Sequence, residues 1–585
     1  MIRHGKRITS LLLALLMIAT ILAGCGGTAP AATDTSSAAP ASSAAETVES
    51  TTAEASASAA APEPVTFSYL MVGPASAWSP EKLSNTKIGQ IIQADTGVDL
   101  EFEYLVGDQD TKVGVLTASG DYPDIICGAG GSTKNFVNAK AFVPLDEYLD
   151  STPTLNALYK DVWKRNLDPG DGKLYFIPFG APMGGKDPKV TLSGGYFYTI
   201  QKRVLKEMNW PQIKTVDQMF EVLKAYKEKN PQTDGQDTIA FTFYKDGWRD
   251  NFTWAYETSS GFKNNLIYDA MAVVDNGTKK IASIKPKSEG FKRMLQIANK
   301  AYNEGLIDKE SFVQKYDQYV GKLATGRVLA TIDADWDYGS AVSSLLQANQ
   351  EDRTFFQMAL PFDEGTPMQP QIPWIPSGEG VGISVAAKDP ARIMQFFEYM
   401  STEKAMKLCT WGIEGEDYTV DANGRFVRTK EQNDRAESNA EYKKAQGLGG
   451  VFHYGFPYGQ GVYSDGNADS PNKQLEVVKA GFTASDNEFL TAYGLNVPAD
   501  MLNLETLLVK WSPLWTMNLG DGTPARVVST QIGELDDKYR PKIIMGSVAD
   551  FDKNYQEFMD ALDKLDLQSY IDAVQTEIDN REANW

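Results

Sequence analysis

Histidine is almost missing from this chain, and cysteine is scarce. The 585 residues hold two His and three Cys. His4 lies at the start, so the rest of the chain has only His453. HExxH and other multi-histidine metal sites are therefore excluded. A Ser-His-Asp triad would have to use His453, and its neighbourhood, Val451-Phe-His-Tyr-Gly455, carries no nucleophile elbow. No GxxxxGK[ST] loop occurs, which removes P-loop nucleotide hydrolysis. No zinc spacing of cysteines exists. Cys127, in Asp124-Ile-Ile-Cys127, reads as a small buried hydrophobe. A bridge to Cys409 is open in an oxidising compartment, but nothing in the spacing favours it. Positive charge is also in short supply: 56 Lys and Arg stand against 77 Asp and Glu, a net −21. Nucleic acid needs a basic footprint and is excluded as a partner. The deficit argues weakly against an anionic ligand, although acidity also serves solubility.

What is present begins at the N-terminus. Arg3, Lys6 and Arg7 precede an apolar run from Ile8 to Ile21. A membrane-spanning helix needs about 20 apolar residues; this run is shorter and reads as a signal peptide over residues 1–24. Leu22-Ala-Gly-Cys25 resembles a bacterial lipobox. Cys25 is then the expected lipidation site, palmitate included, and the new N-terminus after cleavage. Loss of the three basic residues takes the charge from −21 to −24. Residues 25–64 are nearly all Ala, Ser, Thr, Glu, Gly and Pro, with no aromatic residue. They cannot bury enough apolar surface to fold and read as a disordered linker. The expected location is the extracellular face of the cell membrane. The body from Val65 holds about 520 residues, more than one core usually serves, so two lobes are expected.

The body mixes strands and helices. Phe67–Val72 is apolar and β-like. Leu83–Asp95 has helical spacing, and Leu100, Phe102 and Tyr104 alternate with acids as a strand does. Val113–Ala118 is helical, and Ile125–Cys127 is a short apolar strand. This order predicts a parallel sheet flanked by helices, with ligand at the carboxyl ends of the strands. Asp124 and Gly128–Gly131 are placed at such an end. A second series follows: strand Gly195–Tyr198, helix Lys202–Met208, and a helix opened by Thr215 with Gln218 as a capping box. Then come strand Ile239–Tyr244, helix Phe291–Tyr302, strand Val328–Ile332, strand Val381–Ala387, helix Ala391–Met400 and a helix with Phe551, Tyr555, Phe558 and Leu562.

Several segments taken together resemble one family. They are Ala118–Ile126, Phe142–Leu149, Asp171–Pro178, Tyr196–Asn230 with Trp210-Pro211, Gly326–Trp336, Trp411–Tyr418 and Ile543–Gly546. In this order, behind a lipobox, the chain resembles the extracellular solute-binding proteins of family 1, close to LplA-type lipoproteins of carbohydrate ABC transporters. The resemblance implies a two-lobed, periplasmic-binding-protein-like (type II) α/β fold with a ligand cleft between the lobes. It also implies a monomer without catalytic activity that delivers a sugar or oligosaccharide to ABC permease subunits. The lobes would divide as 65–185 and 331–395 for the first, and 186–330 and 396–585 for the second.

A sugar-binding cleft needs flat apolar faces for the C–H side of the ring and polar groups for the hydroxyls. Trp78, Trp248, Trp254, Trp336 and Trp374 stand beside loops, Gly, Pro or charge among the eleven Trp of the chain. With Asp124, Arg249 and Asp335 they are the candidate ligand-binding residues. Trp248 and Trp336 follow strands and head the set; Trp163 and Trp210 flank helices and read as structural. Some relatives carry a calcium loop after the helix matching Thr215–Lys229. Here Asn230, Gln232 and Asp234 still offer oxygens, but Asp237 is out of step and the closing Glu is absent. No cofactor is expected, with calcium left open at that loop. A peptide-binding lipoprotein, an exported glycoside hydrolase and a surface adhesin remain as alternatives. The hydrolase would need two carboxylates about 5–10 Å apart, a separation that spacing along the chain does not give.

Overall fold

The computed structural model describes residues 63–72, 79–105, 108–128, 132–168, 170–184, 195–370, 372, 378–448, 455–502, 507–520 and 522–585. The signal segment, Cys25, the linker up to residue 62, Trp78, residues 129–131, Trp374 and His453 lie outside them.

Nine strands build the two main sheets among the described residues. They are β1 (Val65–Met71), β2 (Val98–Tyr104), β3 (Ile125–Cys127), β4 (Ile177–Pro178), β5 (Phe197–Gln201), β6 (Ile239–Phe241), β7 (Val328–Asp333), β8 (Phe355–Met358) and β9 (Gly380–Ile383). The first sheet runs β2-β1-β3-β9-β4, and the second β8-β5-β7-β6. β1 is parallel to both β2 and β3, as the strand–helix–strand spacing predicts. Two later arrivals change the sheet's character: β9 runs antiparallel to β3, and β4 antiparallel to β9. In the second sheet β7 is parallel to β6 but antiparallel to β5, and β8 is antiparallel to β5.

The helices that matter here are α1 (Lys87–Thr96), α2 (Gln109–Ser119), α3 (Val216–Lys229), α4 (Asn251–Ser260), α5 (Glu289–Asn303), α6 (Asp335–Gln347), α7 (Pro390–Met400), α8 (Pro524–Met545), α9 (Phe551–Leu562) and α10 (Leu567–Asn584). Local chemistry sets their ends. The Gly89 amide donates to Thr86 Oγ1 at 2.9 Å, and Gly97 at φ 71° ends α1. Gly89 is itself required, because a Cβ there would fall 1.7 Å from the Leu83 carbonyl oxygen. The α1 start at Lys87, after a tight turn at Leu83–Asn85, explains why the expected helix begins four residues late. Thr215 caps α3 through the Gln218 amide (3.3 Å), but the Gln218 side chain turns to the Lys214 amide instead of closing the box on Thr215. Val216, Met219, Phe220, Leu223 and Tyr226 are the buried face of α3.

Burial of these faces produces two large cores. One gathers residues between Phe67 and Ala181 with residues between Val381 and Val477. The other gathers residues between Tyr198 and Phe362 with residues between Phe489 and Ile578. The chain therefore passes between cores three times: between 181 and 198, between 362 and 381, and between 477 and 489. This corrects the division expected from sequence. A boundary at 331 would cut β7, whose six residues are all buried in mid-sheet. One at 396 would cut α7, whose Ile393, Met394, Phe396, Phe397 and Met400 fill the first core. Cys127 and Cys409 are buried thiols in that core and are not bridged.

Candidate functional site

The second sheet assembles an aromatic face at one end. β6 and β7 are parallel and so point to the same end, β6 stopping at Phe241 opposite Ala330. β7 ends at Asp333; Ala334 turns the chain, and Trp336 is the second residue of α6. Beyond β6 the chain forms a small hairpin, Lys245–Asp246 against Arg249–Asp250, with Gly247 at φ 60° and Trp248 at its tip. Asp250 then accepts from the Thr253 amide (3.1 Å) and starts α4, which carries Trp254. β5 is antiparallel to β7 with Phe197 opposite Asp333, so Tyr196 enters the same end from the other direction.

Four rings meet there. Trp254 is 9% exposed and stacks on Tyr196 at 3.7 Å and 12°. Trp248 lies 6.1 Å from Trp254, and Tyr196 meets Trp336 edge to face at 6.4 Å. Trp248 and Trp336 are 5.9 Å apart at 29°, and they are 60% and 50% exposed. A sugar ring between two facing indoles would need roughly 8 Å, two contact distances of about 4 Å. The pair is too close to clamp a ring, and it forms one continuous apolar strip instead.

Buried charge fixes this strip from behind. The Arg249 guanidinium lies 4.4 Å from the Trp248 ring centre and 4.3 Å from that of Tyr316. Its Nε donates to both oxygens of buried Asp337, at 2.9 and 3.0 Å. Tyr244 donates to the same carboxylate at 2.8 Å. Burial opposes the charge of Arg249, but Asp337 more than offsets it, and the guanidinium titrates above its usual value. Beneath Asp250, buried Arg540 of α8 donates to both oxygens, at 2.6 and 2.9 Å, and pairs also with Asp536. Asp333 is fully buried and accepts from Tyr319 (2.9 Å) and from the Ala334 amide (2.8 Å). Burial and then repulsion from Asp337 push its carboxyl up to about 7. Asp335 is half-buried, accepts from the Trp336 amide at 2.9 Å, and is pushed up by burial.

The structure thus brings Trp248, Arg249, Trp254, Asp335 and Trp336 together. Asp124 is elsewhere. It precedes β3 at the amino end of that strand, not the carboxyl end, and its Oδ2 accepts from the Ser68 amide (2.8 Å) and hydroxyl (2.7 Å) on β1. The carboxylate ties two strands and is removed from the strand ends where the sequence placed it. Trp163 stacks on Tyr159 at 4.9 Å, and Trp210 packs edge-on against Phe489 and Tyr493. Sequence reasoning missed Tyr196, Asp337, Tyr244 and Tyr316. Only the antiparallel pairing of β5 on β7 brings Tyr196 in, and nothing local encodes that pairing. Asp337 had a readable signal: it is two residues beyond Asp335 at a helix start.

The loop considered for calcium does not fit the ion. Gln232–Thr233 and Gln236–Asp237 pair as an antiparallel hairpin with Asp234 at φ 50°. Arg353 holds both Asp234 oxygens, Nη2 at 2.9 Å, and this contact keeps the carboxyl below its usual range. The Asn230 amide nitrogen is turned to the Tyr226 carbonyl at 3.3 Å. A guanidinium stands where six to eight oxygens would have to converge on a cation. Among the described residues no group of three or more His, Cys, Asp or Glu is placed to hold a metal, and no helix is long and apolar enough to cross a membrane.

The sequence pattern of the family described as bacterial extracellular solute-binding protein matches residues 87–413, more than half of the chain. The chain belongs to that family. The fructooligosaccharide ABC transporter substrate-binding protein FusA of Streptococcus pneumoniae is 27% identical over 252 residues, 42% of this chain and 45% of that one. The polygalacturonan/rhamnogalacturonan-binding protein YtcQ of Bacillus subtilis is 23% identical over 337 residues, 55% and 61% of the two chains. The matched stretches span about half the length of these relatives. The structure of FusA in complex with kestose superposes with a TM-score of 0.63 at 16% identity, over 89% of this chain and 100% of that one. At that identity the likeness shows the fold alone, which is mixed α/β and two-lobed.

Proposed function

We propose that this protein captures a neutral oligosaccharide outside the cell and passes it, chemically unchanged, to an ABC permease. The observation that carries this reading is the exposed Trp248–Trp336 strip at the joint end of β6 and β7. Two near-parallel indoles, backed by Arg249 and Asp337, offer the apolar surface that the C–H face of a sugar ring requires. Asp335 at the edge supplies an acceptor for hydroxyls. Asp335 and Asp337 outnumber Arg249, so a uronate is disfavoured on this face. The relatives named for carbohydrate binding and ABC transport support the class of ligand and the partner. Closure of the two lobes over the ligand belongs to this reading, as do attachment through lipid on Cys25 and action as a monomer. The calcium loop of some relatives is, in this reading, replaced by the Arg353–Asp234 pair.

The test is a thermal-shift and titration panel on the body from residue 65: kestose and longer fructooligosaccharides, Man5GlcNAc, an oligogalacturonate and a set of dipeptides. A bound ligand raises stability by RT ln(1 + [L]/Kd). At least one neutral oligosaccharide should shift the melting curve, with intact sugar recovered afterwards. A shift from dipeptides alone, or a cleaved oligosaccharide, would contradict the proposal.

A further inference from the structure

Three tryptophans are among the large apolar side chains left exposed: Trp248, Trp336 and Trp515, the last 54% exposed. The first two form the strip above. Trp515 sits alone in a single tight turn, Leu514–Thr516. That turn is unusually well anchored. Buried Asp269 accepts from the Ser512 hydroxyl at 2.7 Å and from the Leu514 amide at 2.9 Å. Arg581 of α10, 2% exposed, donates to the carbonyls of Trp511 (3.0 Å) and Pro513 (2.6 Å) and to Thr516 Oγ1 (3.2 Å). Trp511 and Leu514 are plugged into the second core. Two desolvated charged groups and five hydrogen bonds thus fix six residues, and desolvated charge is tolerated only when its partners are complete. The side chain that this scaffold leaves in solvent is an indole. The Trp248 hairpin is built in the same way, on Asp337 and Arg540.

The position matters as much as the support. Thr516 abuts Gly378, where a Cβ would stand 3.2 Å from the Thr516 Cβ. Gly378 lies on the second passage of the chain between the cores, two residues before β9. Its amide donates to Asn166 Oδ1 at 3.0 Å, in the first part of the chain. Trp515 therefore stands at the crossing between the lobes, on a rigid mount. We infer that Trp515 is a second stacking position for an extended carbohydrate, taking a sugar unit beyond those that lie on Trp248 and Trp336. This rests on the proposed function. In this inference the two places take different sugar units, so the contribution of Trp515 depends on ligand length.

The experiment is calorimetric titration of wild type, W515A, W515F and W336A with two probes. One is the tightest-binding neutral oligosaccharide of the panel above; the other is its disaccharide fragment. Melting curves of the ligand-free proteins confirm folding, and the exposure of Trp515 makes W515A tolerable. An aromatic contact contributes about 0.5–1.5 kcal/mol beyond burial, and about 1.4 kcal/mol is a decade in affinity. W515A should therefore bind the long probe about fivefold to tenfold more weakly and the disaccharide as wild type does. W515F should recover most of the loss, and W336A should weaken both probes. Wild-type affinity of W515A for the long probe, with W336A weakened, overturns the Trp515 assignment and leaves the proposed function standing. Equal loss on both probes would put Trp515 in the same platform as Trp336 and also overturn it. Wild-type affinity in all variants, or no oligosaccharide bound at all, overturns both.

Discussion

The two sheets use acidic residues beside their strands in opposite ways. In the second sheet, Asp333 ends β7 and accepts from Tyr319, and Asp337 holds Arg249 and Tyr244 beneath two exposed indoles. In the first, Asp124 precedes β3, and its carboxylate is consumed by Ser68 on the neighbouring strand. Both places read in sequence as an Asp next to a short apolar run. The difference is which end of the strand the residue occupies, and whether its partners bind it to the sheet or support something in solvent. Acid next to a strand is thus no mark of a site by itself.

Four changes would break or sharpen this contrast. The largest effect should come from Asp337→Leu. It strands Arg249, three-quarters of whose side chain is buried. Removing one partner of such a pair should destabilise the fold by roughly 3 kcal/mol and loosen Trp248. Chemical denaturation and titration should both show it, and a stable variant that binds normally would deny Asp337 its supporting role.

Next comes pH. Asp333 titrates near 7 in the folded protein against 3.8 for a free carboxyl. Its folded value is raised, so the native state holds a proton that the unfolded chain releases. The stability from this group is complete below about pH 4 and is lost as pH rises through about 7. Between pH 5 and 7.5 the loss is on the order of 2 kcal/mol. Asp333→Asn should remove that slope from the stability–pH curve, while an unchanged slope would place the titration elsewhere. Asn keeps a single acceptor oxygen, so one of the two bonds that Asp333 accepts, from Tyr319 on Oδ2 or from the Ala334 amide on Oδ1, is lost in the variant and lowers its stability at every pH without adding a slope.

Asp124→Ala should cost about 1–2 kcal/mol, the worth of two partly exposed hydrogen bonds, and leave sugar affinity as it was. Weakened binding by that variant would return Asp124 to the site. The smallest effect concerns the hairpin at Asp234. Calcium at millimolar concentration, or its removal by chelator, should leave the melting temperature in place. Arg353→Met should lower stability by about 1 kcal/mol, as for a pair whose carboxylate is exposed. A calcium-dependent rise in the wild-type melting temperature would show that the guanidinium does not replace the ion.

Much of the fold was legible because it is local. The alternation Leu100-Glu-Phe-Glu-Tyr104 lies in β2, the 3.6-residue spacing of Phe291, Met294, Leu295 and Ala298 is the buried face of α5, and Ile125–Cys127 is β3. The lobe boundaries were not legible. β8 and β9 are both short apolar runs, and only their long-range partners, β5 and β3, assign them to different sheets. The site divides along the same line. Trp248 and Trp336 announce themselves as large apolar residues next to Gly and Asp after strands. Tyr196 and Tyr316 join them through pairings 136 and 67 residues apart, Phe197 with Asp333 and Tyr316 with Arg249, which no local pattern encodes.

The central claim is that the exposed indole strip, and not the Asp124 end of the first sheet, carries the ligand. Calorimetric titration of the best-binding neutral oligosaccharide into wild type, W336A, W248A and Asp124→Ala tests it directly. The account predicts at least about a tenfold loss in each Trp variant, about 1.4 kcal/mol, with wild-type affinity in the Asp124 variant and folded baselines in all four proteins. Wild-type affinity in both Trp variants, or a loss confined to the Asp124 variant, would contradict it.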